Sequence, residues 1–179
     1  ELCSGPDLAT HMKLNKTLSE KEAKLIITQI LSGLKYLSLE KKIIHYDLKP
    51  QNIVFHDGEV KISDFGLSKI MKDNEEKIEL TSQGVGTYWY LPPECFITGA
   101  SSSISSKVDI WSLGVIFYEM LFGKRPFAHS MSQERILKEG AILKAKKVDF
   151  PLIPQISAEC KDFIRRSLQY KADDRWNVQ

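Results

Sequence analysis

The sequence has 179 residues, of which 42% are hydrophobic and 27% charged, enough to bury a sizeable core in one domain. The 25 basic and 23 acidic residues are spread along the chain, so composition indicates neither a nucleic-acid-binding surface nor an acidic tail. The longest apolar stretch, 110–122, is interrupted by Ser112, Gly114 and Glu119 and is shorter than the ~20 residues that cross a bilayer, so it predicts a buried helix rather than a membrane span.

Cysteine and histidine usage argues against disulfides and zinc. The three cysteines are an odd number without close spacing, and the four histidines show no ligand spacing with them. This pattern favours a reducing intracellular compartment. The first residues carry no basic-then-apolar signal sequence, and the residues alone predict no more specific localisation.

A long amphipathic helix is predicted early in the chain. Ser19 followed by Glu22 forms a capping box, which marks a helix start. Apolar residues then recur at helical spacing, at Ala23, Ile26, Ile27, Ile30, Leu31, Leu34 and Leu37. The sequence therefore predicts a helix over 19–39.

A β-hairpin and three helices are predicted after it. Residues 53–55 (Ile-Val-Phe) and 60–62 (Val-Lys-Ile) are typical of two short strands, and Asp57-Gly58 between them is a turn signal typical of hairpins. A helix over 105–122, apolar on nearly every side, is expected to be buried all round until Gly123 ends it. Further helices are predicted over 132–144 and from Ser157, the last with Phe163, Ile164 and Leu168 on its inner face.

The hairpin is flanked by polar residues that a plain hairpin does not need. The string HYDLKPQN, from His45 to Asn52, precedes it, and Asp64-Phe65-Gly66 follows it. Each string alone is usually a turn or a solvated loop. Their order, with Pro92-Pro93-Glu94 further on, is very unlikely by chance and resembles the catalytic loop and the metal-binding triplet of eukaryotic protein kinases.

The resemblance implies phosphoryl transfer, which needs cations on the phosphates, in-line geometry and an acceptor for the hydroxyl proton. Asp47 is implied to orient the substrate hydroxyl and take its proton, and Lys49 to lie beside the γ-phosphate. Asn52 and Asp64 are implied to hold Mg²⁺ through oxygen atoms and, with Lys49, to belong to the ATP site. ATP and Mg²⁺ are the expected cofactors.

Other matching positions are implied to be structural. Asp109 is implied to hold the catalytic-loop backbone, although aspartate at a helix start is also favoured by the helix dipole. Arg175 is implied to pair with Glu94 in a buried ion pair, the alternative being a surface salt bridge. His45 and Phe65 resemble a stacked pair and are otherwise interpreted as core.

Lys49 and Thr87 bear on the acceptor residue. A lysine at this place in the loop resembles serine/threonine kinases, whereas tyrosine kinases usually have alanine or arginine nearby. The Thr87 hydroxyl is implied to bridge Asp47 and Lys49. The resemblance therefore favours serine or threonine as the acceptor.

Two positions depart from the general kinase pattern. Tyr46 stands where most kinases have an arginine that clamps a phosphorylated activation segment, and a phenol cannot form that bidentate charged contact. We therefore expect activity that does not depend on phosphorylation at Thr81 or Ser82. Gln51 stands where many basophilic kinases carry glutamate, so no preference for basic peptides is predicted.

The first residues resemble the segment that joins the two lobes of a kinase. The backbone of Glu1 and Cys3 is expected to meet the adenine edge, with Leu8 and Val54 forming an apolar floor, although such single residues are more often plain core. Neither a glycine-rich phosphate loop nor a strand lysine is found in residues 1–179.

The expected fold class is therefore the α+β protein-kinase-like fold, with the chain representing the hinge and the mainly α-helical large lobe (C-lobe), including its small β-hairpin, but not the small lobe (N-lobe). One domain is expected over 1–179, with the hinge and the start of its helix at 1–8, the catalytic loop at 45–52 and the activation segment at 64–94. The isolated chain is expected to be inactive.

The stretches 80–96 and 107–127, together with HYDLKP, closely resemble Tousled-like kinases. That resemblance implies a nuclear enzyme that phosphorylates histone chaperones of the anti-silencing type and forms homo-oligomers through coiled coils outside this chain. It implies neither direct nucleic-acid binding nor a membrane. Two alternatives stay open: a pseudokinase or scaffold that binds without transfer, and a serine/threonine kinase of another branch.

Overall fold

A computed structural model of the chain describes residues 3–72, 77–79, 85–97 and 103–178. The helices are α1 Leu8–Asn15, α2 Glu20–Leu39, α3 Lys107–Phe122, α4 Gln133–Glu139 and α5 Ala158–Ser167. None of the helices in these ranges combines the length and the apolar character that crossing a membrane requires.

Helix α2 begins and ends where the sequence predicts. The Ser19 hydroxyl accepts a hydrogen bond from the backbone N–H of Glu22 at 3.2 Å, which satisfies one of the free donors of the first turn. The inner face is buried at Ala23, Ile26, Ile27, Ile30, Leu34, Leu37 and Ser38. This face packs against α3, so α2 is fixed to the core along much of its length.

Helix α3 is the centre of the core. Every residue of the helix except Lys107 and Glu119 is buried, as its nearly uniform apolar character predicts. Gly123 ends the helix in a left-handed conformation, with φ of 66°. Helix α5 crosses close to α3 at Gly114, where an added Cβ would lie 2.7 Å from the Cβ of Ser167.

Six short strands form three antiparallel pairs in the described part of the chain. Strands β2 Ile53–His56 and β3 Glu59–Ile62 form the predicted hairpin. Its turn residues Asp57 and Gly58 both have positive φ, as the Asp-Gly signal indicates. The other pairs join β1 Ile43–Ile44 to β4 Lys69–Ile70, and β5 Ile78–Glu79 to β6 Ser103–Ile104.

Two predictions of secondary structure need correction. Helix α4 ends at Glu139 instead of continuing to 144, because Gly140 adopts a left-handed conformation and its N–H caps the last turn. The two-residue strand pairs were not predicted. They are too short to show an alternating pattern, and their pairing joins segments that are distant in sequence.

Candidate active site

The segment before α1 is held against the hairpin by backbone hydrogen bonds. Gly5 N–H donates to the Phe55 carbonyl and Phe55 N–H donates to the Pro6 carbonyl, each at 3.0 Å. A Cβ at Gly5 would lie 2.3 Å from the Phe55 oxygen, so this approach requires glycine. The contact brings the segment containing Cys3 beside β2, where Leu8 is fully buried and Val54 half-buried.

Asp109, in the first turn of α3, holds the start of the loop 45–52. Its two carboxylate oxygens accept from the backbone N–H groups of His45 at 2.8 Å and Tyr46 at 2.9 Å. Tyr46 has φ of 69°, a conformation that is costly for a bulky residue and that these bonds help to fix. Burial raises the pKa of Asp109, and the two N–H donors oppose that rise by stabilising the carboxylate.

Asp47, Lys49 and Thr87 form one polar unit. Lys49 Nζ donates to Asp47 Oδ2 at 2.5 Å and to Thr87 Oγ1 at 3.1 Å, while the Thr87 hydroxyl donates to Asp47 Oδ1 at 2.9 Å. Asp47 is 7% exposed. A nearly buried carboxylate paired with a cation and a hydroxyl is held in one orientation, which is what a proton acceptor for a substrate hydroxyl needs.

Asn52 and Asp64 supply oxygen atoms of the type that Mg²⁺ prefers. The Asn52 amide nitrogen donates to the Asp47 carbonyl at 2.9 Å and to Asp47 Oδ2 at 3.3 Å. Its amide oxygen has no hydrogen bond to the described part of the chain, so it is available as a ligand. The exposed Asp64 carboxylate accepts from Gly66 N–H at 3.2 Å, and its other oxygen is likewise available. This donor set fits a hard divalent cation.

The described residues contain no group of three or more His, Cys, Asp or Glu side chains that could hold a metal ion on their own. An amide and a single carboxylate are too few ligands for a protein-only cage. They suit Mg²⁺, which normally keeps several waters and takes further oxygens from substrate phosphates.

His45 connects the loop to the residues that follow the hairpin. Its Nε2 bonds to the Ser63 carbonyl at 2.9 Å, and its ring meets that of Phe65 edge-on with centroids 5.1 Å apart. His45 is fully buried, whereas Phe65 is 43% exposed. The alternative interpretation of Phe65 as a core residue is therefore wrong, because the ring packs on one side only.

Glu94 and Arg175 form a bidentate ion pair with N–O distances of 2.7 and 3.1 Å. Arg175 is 2% exposed, donates also to the carbonyls of Gln169 and Lys107, and lies 5.0 Å from the Trp111 ring. The alternative of a surface salt bridge is thus wrong. This pair ties the segment after Thr87 to the C-terminal region.

Tyr46 contacts Cys95, a contact that sequence reasoning missed. Its phenol lies near the buried thiol, and burial raises the pKa of both groups. Lys69 Nζ lies 5.5 Å from the centre of the Tyr46 ring. A neutral side chain, 2% exposed, therefore occupies the position where many kinases place a charged arginine.

A second missed cluster surrounds Glu119, the acidic residue in the apolar stretch of α3. Glu119 Oε2 accepts from the Tyr90 hydroxyl at 2.6 Å, and Arg125 adds its charge nearby while stacking 4.4 Å above the Trp89 ring. Burial raises the pKa of Glu119, whereas the Tyr90 hydrogen bond and Arg125 lower it. One signal was present in the sequence: a carboxyl inside a buried helix needs a partner.

Three predicted site residues, Glu1, Thr81 and Ser82, lie outside the described residues. The structure brings Asp47, Lys49, Asn52 and Thr87 into direct hydrogen-bond contact.

Comparison with known proteins shows one family over the whole sequence. The protein kinase domain family matches residues 1–179. The serine/threonine-protein kinase TOUSLED of Arabidopsis thaliana is 60% identical over 183 residues, covering 99% of this chain and 27% of the relative. Tousled-like 1 of Homo sapiens is 54% identical over 187 residues, covering 99% and 24%, and tousled-like 1 of Caenorhabditis elegans is 50% identical, covering 99% and 19%. The chain thus spans about a quarter or less of these curated relatives.

Proposed function

Because the chain belongs to the protein kinase family, and within it to the Tousled-like serine/threonine kinases, we propose that it carries the catalytic residues that transfer the γ-phosphoryl group of ATP to serine or threonine in protein substrates. The observation that supports this most is the unit of Asp47, Lys49 and Thr87 joined by three hydrogen bonds. The sequence supports this function only through the order of its motifs. The unit adds a geometry that suits a proton acceptor for a substrate hydroxyl.

The roles follow from the contacts. Asp47 accepts the hydrogen bond of the substrate hydroxyl and takes its proton as the oxygen attacks the γ-phosphorus. Thr87 holds one Asp47 oxygen and the Lys49 ammonium in place, and Lys49 stabilises the negative charge on the transferring group. Asn52, fixed by its amide nitrogen, and Asp64 would hold Mg²⁺, which neutralises charge on the phosphates.

The adenine end of the nucleotide belongs to the segment beside β2. We propose that the backbone of Glu1 and Cys3 meets the adenine edge and that Leu8 and Val54 lie under the ring. The backbone hydrogen bonds of Gly5 and Phe55 support this for Cys3, since they hold its segment along the hairpin that leads to Asp64.

We propose the same domain limits as the sequence suggests: hinge at 1–8, catalytic loop at 45–52 and activation segment at 64–94, all in the large lobe of a kinase domain. The helical core around α3 and the small strand pairs support this. By resemblance, the substrates are histone chaperones of the anti-silencing type, the compartment is the nucleus, and homo-oligomers form through coiled coils outside this chain.

Phosphate transfer by the natural protein that contains this chain tests the proposal. With radiolabelled ATP, Mg²⁺ and a histone chaperone, we expect label on serine or threonine, and a rate about 10²–10⁴-fold lower for Asp47→Asn because the general base is lost. No transfer by either protein would favour the pseudokinase or scaffold, and equal transfer by both would show that Asp47 is not the general base. Equal transfer to generic basic peptides would favour another kinase branch.

We propose that activity does not depend on an arginine that binds a phosphorylated activation segment, because Tyr46 at that position is neutral and buried. Phosphatase-treated protein and the separate variants Thr81→Ala and Ser82→Ala are expected to keep most of the transfer rate. If either alanine variant lost activity and an acidic residue at the same position restored it, activity would depend on phosphorylation of the activation segment.

A further inference from the structure

A cavity of about 220 Å³ lies directly beside the catalytic loop. Pro50 and Gln51 of the loop form one side, and α1, Tyr90 and the end of α3 form the rest. Since one water occupies about 30 Å³ of liquid, the cavity has room for a carboxylate or a phosphate group with some of its water.

The cavity is within reach of a substrate whose hydroxyl sits at Asp47. Gln51 follows Asp47 by four residues, so their Cα atoms are at most about 14 Å apart. An extended peptide advances about 3.3 Å per residue. A side chain roughly two to five residues from the acceptor can therefore enter the cavity.

The charges around the cavity are mainly positive. Lys13, in the last turn of α1, and Lys16, at its C-terminal cap, both line it, and both are exposed. Neither ammonium forms an ion pair within the described ranges. Gln51 contributes an uncharged amide where a carboxylate would have attracted basic substrates.

The acidic residue of the lining already has partners. Glu119 accepts the Tyr90 hydroxyl at 2.6 Å, and the Arg125 guanidinium acts on the same carboxyl. A carboxylate that already accepts a hydroxyl hydrogen bond and has the positive charge of Arg125 nearby is a poor partner for a substrate cation, because Arg125 repels that cation. The lining thus has two lysines without ion pairs in the described ranges and one carboxyl whose negative charge is partly offset by Arg125. The cavity therefore suits a negatively charged group.

On the basis of the kinase function proposed above, we propose that this cavity is a substrate subsite for an anionic side chain, and that Lys13 and Lys16 bind it. The group is a carboxylate or a phosphate carried within about five residues of the acceptor serine or threonine. The two ammonium groups supply charge-assisted hydrogen bonds, which are stronger than neutral ones.

A peptide series tests this with the natural protein that contains the chain. The parent peptide has one serine acceptor in a neutral, glycine- and alanine-rich background. Glutamate, phosphoserine, glutamine and lysine are placed in turn at each position within about five residues of the acceptor. We expect kcat/KM to rise about three- to tenfold for glutamate or phosphoserine at one or two positions, with glutamine neutral and lysine unfavourable.

Charge-reversal variants test whether Lys13 and Lys16 bind the anionic side chain of the peptide. Lys13→Glu combined with Lys16→Glu is expected to abolish the gain from the anionic residue while the neutral parent peptide is still phosphorylated at its usual rate. Lys35→Glu, the same change on the exposed face of α2 away from the cavity, is the matched control and should retain the gain.

The outcomes separate the two proposals. A rise with phosphoserine alone identifies a phosphorylated substrate, and a rise with both anions identifies an acidic segment. Three results overturn the subsite alone, provided that the parent peptide is phosphorylated. These are equal kcat/KM for anionic and neutral peptides, a higher kcat/KM for lysine peptides, and a gain from the anionic residue that persists in the variant with both Lys13→Glu and Lys16→Glu. No transfer to any peptide or protein overturns the kinase function together with it.

Discussion

At the scale of single residues, Thr87 explains how a short polar unit keeps its geometry. Its hydroxyl both donates to Asp47 and accepts from Lys49, so one oxygen positions two charged groups. The Lys49 ammonium and the Asp47 carboxylate are also paired directly, at 2.5 Å. Thr87 is therefore a positioning residue, whereas Asp47 and Lys49 are expected to touch the reacting groups.

Replacing Thr87 by alanine is expected to lower kcat by about 10- to 100-fold, because small displacements of reacting groups cost rates of this order. The KM for ATP should change little, since Thr87 contacts neither Asn52 nor Asp64 in the structure. Steady-state kinetics of Thr87→Ala beside Thr87→Ser provide the measurement. The serine variant keeps the hydroxyl and should keep most of kcat; an equal loss in both variants would argue against hydroxyl bridging.

At the scale of elements, one long-range ion pair and one long-range hydrogen bond connect segments that are distant in sequence. Glu94 and Arg175 join the end of the proposed activation segment to the C-terminal region, 81 residues apart in sequence. Glu20, in the first turn of α2, accepts from the backbone N–H of Ser157 at the start of α5 and from Lys24.

Breaking the Glu94–Arg175 pair is expected to be strongly destabilising. Glu94→Gln leaves a 2%-exposed guanidinium without its counter-charge, and such a loss typically costs about 3–5 kcal/mol. For a domain of this size each kcal/mol lowers Tm by about 2–4 °C. Thermal unfolding of Glu94→Gln measures the effect. Arg166→Gln, which breaks the exposed pair with Asp162, is the control and should shift Tm far less; similar shifts in both would mean that burial does not matter here.

The carboxyl of Glu20 is expected to make stability depend on pH. Its hydrogen bonds to Lys24 and Ser157 lower its pKa from 4.5 to about 2. A group whose pKa is lower in the folded state stabilises that state above its unfolded pKa and loses this contribution as pH falls through the folded value. The stability difference between the unmodified protein and Glu20→Gln should therefore be full at pH 6 and shrink between about pH 4.5 and pH 2.

Chemical denaturation across that pH range checks the Glu20 prediction. Glu134→Gln, in the first turn of α4, is the matched control, because Glu134 forms no ion pair within the described ranges. A Glu20→Gln difference that is the same at every pH would show that the carboxyl contributes no charge-dependent stability.

At the scale of the whole molecule, helix α3 at the centre of the core anchors two parts of the proposed site. Asp109 at the start of α3 holds the loop 45–52, and Glu119 near its end accepts from Tyr90, which lines the cavity beside that loop. One buried helix thus positions both the proposed catalytic loop and the proposed substrate subsite. Phe65, which packs edge-on against His45 of the loop 45–52, leaves 43% of its surface exposed to solvent.

Residues 1–179 contain neither the glycine-rich loop nor the strand lysine that kinases use to hold ATP phosphates. We therefore expect the isolated chain to transfer no phosphate, and to bind ATP weakly or not at all, whereas a protein that joins it to a kinase small lobe is active. Calorimetry with ATP and Mg²⁺ and a transfer assay on both proteins check this. Transfer by the isolated chain would show that these residues suffice.

Much of the local structure could be predicted from the sequence. The start of α2 at its Ser19 cap, the end of α3 at Gly123 and the Asp57-Gly58 hairpin depend on neighbouring residues, so their signals are contained in short segments. Helix α4 was predicted too long: apolar residues continue beyond Gly140, but this glycine adopts a left-handed conformation that ends the helix.

The order of the motifs and the choice of candidate catalytic side chains follow from the sequence itself, because these motifs have fixed residue types at fixed spacing. Only the tertiary structure decided which distant groups meet: Tyr46 with Cys95, Tyr90 with Glu119, and α1 with the catalytic loop around the cavity. Such contacts depend on how helices pack around α3, and spacing along the chain carries no information about distances between segments that only packing brings together.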